Sequence, residues 1–166
     1  MPKTEFRYAE FRRLRDEGVT GPVIRYGVVA RFGDFRERFE PGSLAIGDDL
    51  ICNLQHDRTS PVARTGGAGL EVTADGDAVR AAIEWPDTRY GRSARELVVA
   101  GILRGFSLEF RCRQERWEGR ERVIVAADMI GLALVDKPAY PDSTIALRMA
   151  KEVPVKRHAK RTRYFV

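Results

Sequence analysis

The chain has 166 residues, of which 43% are apolar and 32% are charged, so it is long enough for one well-cored domain and too short for two. The sequence has no run of about eighteen apolar residues and no apolar stretch near the N-terminus, so it predicts neither a transmembrane helix nor a secretory signal. The net charge is +5, and residues 151–166 carry six basic residues and one acidic residue. Residues 1–150 are therefore neutral overall, which argues against nucleic-acid binding by the fold itself.

Short apolar and β-branched segments predict a chain composed mainly of strands. Residues 1–21 fit neither the helix period nor the strand period, so this segment is interpreted either as a strand followed by a polar turn or as a short helix. Asp and Gly at 75–76 tolerate the dihedral angles of a tight turn and predict a hairpin around residues 74–77. The glycine-rich residues 66–69 are interpreted as a flexible hairpin loop. The predicted strands are 23–32, 36–39, 50–55, 70–73, 78–85, 106–113 and 123–135.

One segment has the spacing of an amphipathic helix, with apolar residues three and four positions apart on a single face. Thr88 or Ser93 would cap its start, and Gly105 would end it. Six or seven strands with one embedded helix predict a mainly antiparallel sheet that closes into a β-barrel. The apolar face of the helix consists of Ala94, Leu97, Val98, Gly101 and Ile102.

Two polar residues are candidates for nucleophilic catalysis. His56 follows an apolar strand and precedes a polar loop, a position where a rigid strand can hold a side chain beside substrate. Ser107 lies in a predicted strand, and a serine hydroxyl becomes a good nucleophile when a neutral imidazole removes its proton. Taken one at a time, the two residues are more simply explained as a surface histidine and an outward-facing serine.

The two cysteines and the glycine-rich loop offer weaker chemistry. Cys52 lies about 13 Å from His56 along an extended strand, too far for a hydrogen bond, so we interpret it as a core residue. Cys112 is also interpreted as structural. The sequence has no paired histidine or cysteine motif with metal-ligand spacing, and no P-loop follows the glycines. We therefore expect no metal and no cofactor.

Five segments occur in an order and at spacings that resemble a known family. The chain resembles the prohead (procapsid) maturation serine proteases of tailed bacteriophages and gene-transfer particles, which are distantly similar to the herpesvirus assemblin proteases. No single segment is specific, but the ordered set is considerably stronger than any one member, and it spans residues 23–146. The segments are YGVVARF at 26–32, EPGSL at 40–44, HD at 56–57, GILRGFSLEF at 101–110 and LVDKPA at 134–139.

The resemblance implies a β-barrel flanked by helices, with His56 as the base and Ser107 as the nucleophile. The implied activity is that of a serine endopeptidase that cleaves scaffold and capsid-protein segments during procapsid maturation. Its implied partners are the major capsid protein and its scaffold segment, and its implied location is the assembling procapsid in the host cytoplasm. Whether the chain forms homo-oligomers is left open. The implied domain covers residues 1–150, and 151–166 would form a disordered basic tail.

One position departs from the family pattern. Many relatives carry a glutamate in the strand before the Pro-Ala step, and here that position is Gly131. Either the catalytic set is a dyad or another carboxylate serves. Glu109 is the preferred candidate, because strand alternation places it on the same face as Ser107 and a glycine on the next strand would leave room for it. Asp128 is the second choice, and a charged residue at a barrel rim is the alternative reading of Glu109.

Three further questions stay open at this stage. Backbone amides, Arg111 or Arg113 would stabilise the oxyanion. The tail would bind acidic scaffold segments and deliver the enzyme, or it would be a solubilising tail or an autocleavage remnant. Two other functions compete with proteolysis. One is a non-catalytic barrel that acts in capsid assembly, which Gly131 favours. The other is a nucleic-acid-binding barrel, against which the neutral domain and the lack of exposed aromatic residues among basic ones both argue.

Overall fold

A computed structural model describes residues 4–10, 12–14, 18–67 and 69–136, and these residues form twelve strands and one helix. The prediction for residues 151–166 and the segment at 137–139 lie outside the described residues. The strands are β1 (Thr4–Glu10), β2 (Arg12–Leu14), β3 (Gly18–Arg25), β4 (Ala30–Phe32), β5 (Phe35–Phe39), β6 (Leu44–Ile46), β7 (Ile51–Leu54), β8 (Asp57–Arg64), β9 (Leu70–Ala74), β10 (Ala78–Glu84), β11 (Gly105–Glu118) and β12 (Glu121–Val135), and the helix is α1 (Arg89–Val99).

Strand β12 is the centre of the larger sheet. It pairs with β11 in an antiparallel hairpin along its length, and β11 pairs in turn with β1. On its other edge β12 pairs in parallel with β5, then β6, then β7, while β4 pairs with β5 and β8 with β7. A single fifteen-residue strand thus aligns three short segments of the chain, and the third of them leads directly into His56.

The smaller sheet has the order β2-β3-β10-β9 and contains the predicted hairpin around residues 74–77. One apolar cluster joins both sheets and the helix. In the larger sheet, β11 contributes Phe106, Leu108 and Phe110 to that cluster from one face, all of them fully buried. The opposite face of the same strand is therefore left for polar residues.

Helix α1 confirms the amphipathic segment but ends earlier than expected. Thr88 is the N-cap and its hydroxyl accepts a hydrogen bond from the Gly91 amide at 3.1 Å. Gly101 has a φ of +72°, a left-handed conformation that ends helices after the last turn. Gly101, not Gly105, therefore ends the helix. Ile102 lies beyond it and is 51% exposed, so it does not belong to the apolar face.

The mainly β class is confirmed, the closed barrel is not confirmed, and several other details differ from the prediction. The described part contains twelve strands rather than six or seven, and one helix. Its strands form two open sheets, and no closed barrel is found among the described residues. The predicted strand at 23–32 is two strands, because the chain turns at Tyr26-Gly27, where Gly27 has a φ of +72°. Residues 66–69 connect the two sheets and do not form a hairpin loop.

The β11–β12 hairpin also extends much further than predicted. Residues 113–122, here called the arm, continue as paired strands to the turn at Gly119-Arg120. The arm lies beyond the core and its first strand is exposed on both faces, so it lacks the apolar alternation that identifies a strand. Ion pairs support it instead. Arg122 bonds the buried Glu37 at 3.0 Å, and Arg38 bonds Glu121 at 2.6 Å.

Candidate active site

His56 lies in the two-residue turn that connects β7 and β8. Leu54 and Asp57 are paired across the hairpin, so Gln55 and His56 are the only turn residues, with φ values of 48° and 62°. Two successive left-handed residues are the geometry of a type I′ turn, which matches the twist of the flanking strands. Left-handed backbone is unfavourable for residues other than glycine and persists where the surrounding structure enforces it. The prediction that His56 lies at the end of a strand is therefore confirmed, and the turn to the next strand has only two residues.

Hydrogen bonds on both sides hold this turn. The Gln55 amide donates to the Leu134 carbonyl at 2.9 Å, which attaches the turn to β12. On the β8 side, the Asp57 carboxylate accepts from the Thr59 hydroxyl at 2.7 Å, from the Thr59 amide at 2.9 Å and from the Ser60 hydroxyl at 2.9 Å. These bonds lower the pKa of Asp57, the Thr59 hydroxyl bond contributing most. The imidazole is thus fixed relative to β12.

Ser107 and Glu109 come from β11, on the face opposite the core. Strand alternation sends Phe106, Leu108 and Phe110 into the apolar cluster and leaves the two polar residues side by side on the other face. Ser107 is 4% exposed and Glu109 is 3% exposed. Glu109 is therefore a buried carboxylate and not a charged residue at a rim.

The three side chains form one continuous hydrogen-bonded chain. His56 Nε2 lies 2.8 Å from Ser107 Oγ, and His56 Nδ1 lies 2.8 Å from Glu109 Oε1. The side chain of His56 is 24% exposed, so the imidazole is the part of the set that reaches solvent. A buried carboxylate at Nδ1 favours the tautomer that carries its proton there, and this leaves Nε2 free to accept the serine proton.

Gly131 explains how a carboxylate fits in this position. It is the residue of β12 directly opposite Glu109, and a Cβ atom at Gly131 would lie 3.2 Å from Glu109 Oε2 and 3.2 Å from the Ile51 carbonyl oxygen. The glycine therefore provides the space that Glu109 occupies. Gly131 no longer favours a non-catalytic assembly protein, because a carboxylate reaches the histidine from the neighbouring strand.

Comparison with known proteins identifies the family. The family model described as caudovirus prohead serine protease matches residues 6–158. The chain belongs to this family. No curated protein and no solved structure matches the chain, so the distant similarity to the herpesvirus assemblin proteases stays a prediction. The membership indicates a serine protease that acts in capsid maturation.

Other candidates for roles in a prohead protease lie away from the histidine. Asp128 pairs with Arg113 at 3.1 Å, so neither the second-choice carboxylate nor that arginine is part of the hydrogen-bonded chain. Arg111 is paired with Asp128 across the hairpin. It lies four residues beyond Ser107, about 13 Å along an extended strand. The structure therefore does not bring either arginine to Ser107.

Cys52 is a possible nucleophile by residue type, but its position in the structure excludes that role. It is fully buried on the core face of β7, and burial raises the pKa of its thiol far above the ordinary value, with the charge of Glu109 acting in the same direction. A thiol of this kind does not supply a thiolate at neutral pH. Cys112 is half-buried against the core. Among the described residues, no group of three or more histidine, cysteine and acidic side chains is arranged to hold a metal ion.

One expectation about nucleic-acid binding needs correction. At the arm, Phe35 lies between Phe32 and Trp117, with ring centroids 5.6 Å and 5.8 Å away, and Trp117 is 53% exposed. An aromatic set therefore does occur near basic residues. Two arginines on the strands that carry this set, Arg38 and Arg116, are ion-paired with glutamates. No helix in the described part is long and apolar enough to span a membrane.

Proposed function

We propose that this chain is a serine endopeptidase in which Ser107 is the nucleophile, His56 the general base and Glu109 the residue that orients and stabilises the imidazole. The observation that carries the proposal is the unbroken chain of two 2.8 Å hydrogen bonds from Ser107 through His56 to Glu109. These residues lie 51 and 53 positions apart from His56 in the sequence. Membership in the prohead serine protease family supports the same reaction.

The acylation step follows from this arrangement. Ser107 Oγ attacks the carbonyl carbon of the scissile peptide bond while His56 Nε2 takes the hydroxyl proton. The resulting imidazolium lies beside the buried Glu109 carboxylate, which stabilises its positive charge. When the tetrahedral intermediate collapses, the C–N bond breaks and His56 gives its proton to the leaving amine. An acyl-enzyme ester on Ser107 remains.

Deacylation uses the same groups in a second cycle. A water molecule enters after the amine leaves, His56 Nε2 accepts one of its protons, and the oxygen attacks the ester carbon. The C–O bond to Ser107 then breaks and His56 returns the proton to Oγ. The products are a carboxylic acid and the free enzyme.

The substrates we propose are segments of the major capsid protein and its scaffold, cleaved inside the assembling procapsid in the host cytoplasm. Family membership supports this choice. The test is co-expression with the major capsid protein gene of the same genome, with the mass of the capsid-protein N-terminus as the measurement. We expect the wild-type chain to shorten the capsid protein and Ser107→Ala to leave it intact.

A matched variant separates loss of chemistry from loss of folding. Ser93→Ala removes a serine from α1 and should leave cleavage unchanged. Ser107→Ala removes the hydrogen bond between the serine hydroxyl and His56, so its free energy of unfolding should change by about 1 kcal/mol. Cleavage at the parental rate by Ser107→Ala would exclude Ser107 as the nucleophile. His56→Ala should be nearly as severe, and the double variant no worse, because the two residues act as a unit.

We also propose that residues 151–166 deliver the enzyme through charge. Six basic residues in this segment would bind acidic scaffold segments, and salt should weaken that binding. A chain without residues 151–166 should still cleave a peptide substrate but be packaged poorly into procapsids. Normal packaging of the shortened chain at unchanged expression would contradict delivery by the tail.

A further inference from the structure

The face of the larger sheet that carries Ser107 also carries Asn53. Asn53 on β7 is paired with Ala133 on β12, and Ala133 is paired with Ser107 on β11. Residues paired directly across neighbouring strands direct their side chains to the same face of a sheet. Asn53, Ala133 and Ser107 therefore form one row across three strands, with a single methyl group between the two polar side chains.

The Asn53 side-chain amide has no hydrogen-bond partner among the residues that the structure describes. The residue as a whole is 6% exposed, and its amide atoms are not among the described buried polar atoms that lack a partner, so water can reach them. Its neighbours on β7 do not share this environment, because Cys52 points into the apolar core. An amide that no described protein group bonds, on the face that carries a candidate nucleophile, is available to a ligand.

The spacing allows Asn53 and Ser107 to contact one peptide carbonyl. Neighbouring strands lie about 4.8 Å apart, so the Cα atoms of the two residues are about 9.6 Å apart. Both side chains project from the same face, and Ala133 between them carries only a methyl group. A carbonyl carbon bonded to Ser107 Oγ would place its oxygen above Ala133, within the reach of Asn53 Nδ2.

In the described part of the chain, the backbone of β11 and the two arginines considered as oxyanion donors are not available at Ser107. Strand β11 is paired on one side with β1 and on the other with β12 around Ser107, so the backbone amides there take part in the sheet. Arg113 is bonded to Asp128, and Arg111 is about 13 Å along the strand. A tetrahedral intermediate on Ser107 still requires a donor for its negative oxygen.

We propose that Asn53 is a catalytic residue whose Nδ2 group donates a hydrogen bond to the oxyanion formed on the scissile carbonyl. This inference rests on the proposed function, because the oxyanion exists only if Ser107 attacks a peptide. Asn53 is the only asparagine in the sequence. It lies three residues before His56 on the strand that leads into the histidine turn, so one hairpin supplies both the donor and the base.

The test measures kcat and KM separately for Asn53→Leu, which keeps the approximate size of the side chain and removes the donor. Loss of one oxyanion donor should lower kcat by about 10² to 10³ while KM changes by less than about twofold. Affinity for a peptide aldehyde, which forms a tetrahedral adduct with the serine, should fall by a similar factor. Thr20→Val is the control, since it removes a buried hydroxyl, bonded to the Ala81 carbonyl, from the other sheet; it should leave both constants unchanged.

Each outcome has a defined meaning. A kcat within threefold of wild type, or a loss confined to KM, would overturn the assignment of Asn53 to the oxyanion. If Asn53→Leu lacks a cooperative thermal transition, Asn53→Asp decides, because it keeps the shape and lacks the N–H donor; full activity in that variant would overturn the assignment. An inactive wild-type chain, or an active Ser107→Ala variant, would instead overturn the proposed function.

Discussion

Adding one methyl group at Gly131 should impair the site even though Ser107, His56 and Glu109 themselves are unchanged. In Gly131→Ala, the new Cβ would lie 3.2 Å from Glu109 Oε2 and 3.2 Å from the Ile51 carbonyl oxygen. The second contact is with backbone inside a sheet and cannot move easily. The Glu109 carboxylate must therefore yield, and its other oxygen is the acceptor for His56 Nδ1 at 2.8 Å.

The expected loss of activity is severalfold and not complete. Relief of the contact requires a shift of a few tenths of an ångström. A misplacement of 1 Å at an active site costs about 10² in rate, or about 2.7 kcal/mol. If the cost scales with displacement, a shift of about 0.3 Å corresponds to about 0.8 kcal/mol, roughly a fourfold loss in kcat/KM.

Stability should change little, which distinguishes this variant from an unfolded one. Replacing glycine by alanine restricts the unfolded chain and favours the folded state by about 0.4–1 kcal/mol. The two tight contacts oppose that gain by a similar amount. We therefore expect the free energy of unfolding to stay within about 1 kcal/mol of wild type. Gly76→Ala is the matched control, because a Cβ there meets no atom within 4 Å and the residue does not have a left-handed φ.

The assay is kcat/KM on a peptide substrate for Gly131→Ala, Glu109→Gln and the double variant. If the methyl group acts through Glu109, the double variant should be no slower than Glu109→Gln alone. Wild-type activity in Gly131→Ala would refute the crowding argument. A further fourfold loss in the Glu109→Gln background would show that the methyl group acts elsewhere.

The remaining predictions concern Glu109, the two cysteines and Asp57. Glu109→Gln should lower kcat more than tenfold with folding intact, because an amide stabilises the imidazolium less than a carboxylate does; full activity would favour a Ser–His dyad. Iodoacetamide should modify Cys112 in the native protein and Cys52 only after denaturation, because burial raises the pKa of Cys52, and mass analysis that found Cys52 modified first would contradict this. Hydrogen bonds from Thr59 hold the pKa of Asp57 below its ordinary value of 3.8. The charge of Asp57 therefore stabilises the fold above that value and ceases to do so as pH falls through the lower, folded pKa. The difference in Tm between wild type and Asp57→Asn should therefore shrink as pH falls below 3.8. An unchanged difference would contradict it.

Local patterns in the sequence identified the elements of the site before their arrangement was known. The turn chemistry of residues 74–77 and the apolar spacing of α1 depend on neighbouring residues, so both were predictable. Strand alternation placed Glu109 on the same face as Ser107, and the run of apolar residues before His56 placed the histidine at a strand end. The arm could not be predicted, because exposed strands lack an apolar period.

The tertiary structure decided which of these residues meet. The sequence alone left Glu109, Asp128 and a dyad open, since the pairing of β11 with β12 and of β12 with β7 depends on packing between distant segments. That pairing puts Gly131 opposite Glu109 and carries His56 to a carboxylate 53 residues away. It also aligns Asn53 with Ser107, which no local pattern indicated. Periodicity specifies the face on which a side chain lies, whereas contact across a sheet requires the register, which only long-range packing sets.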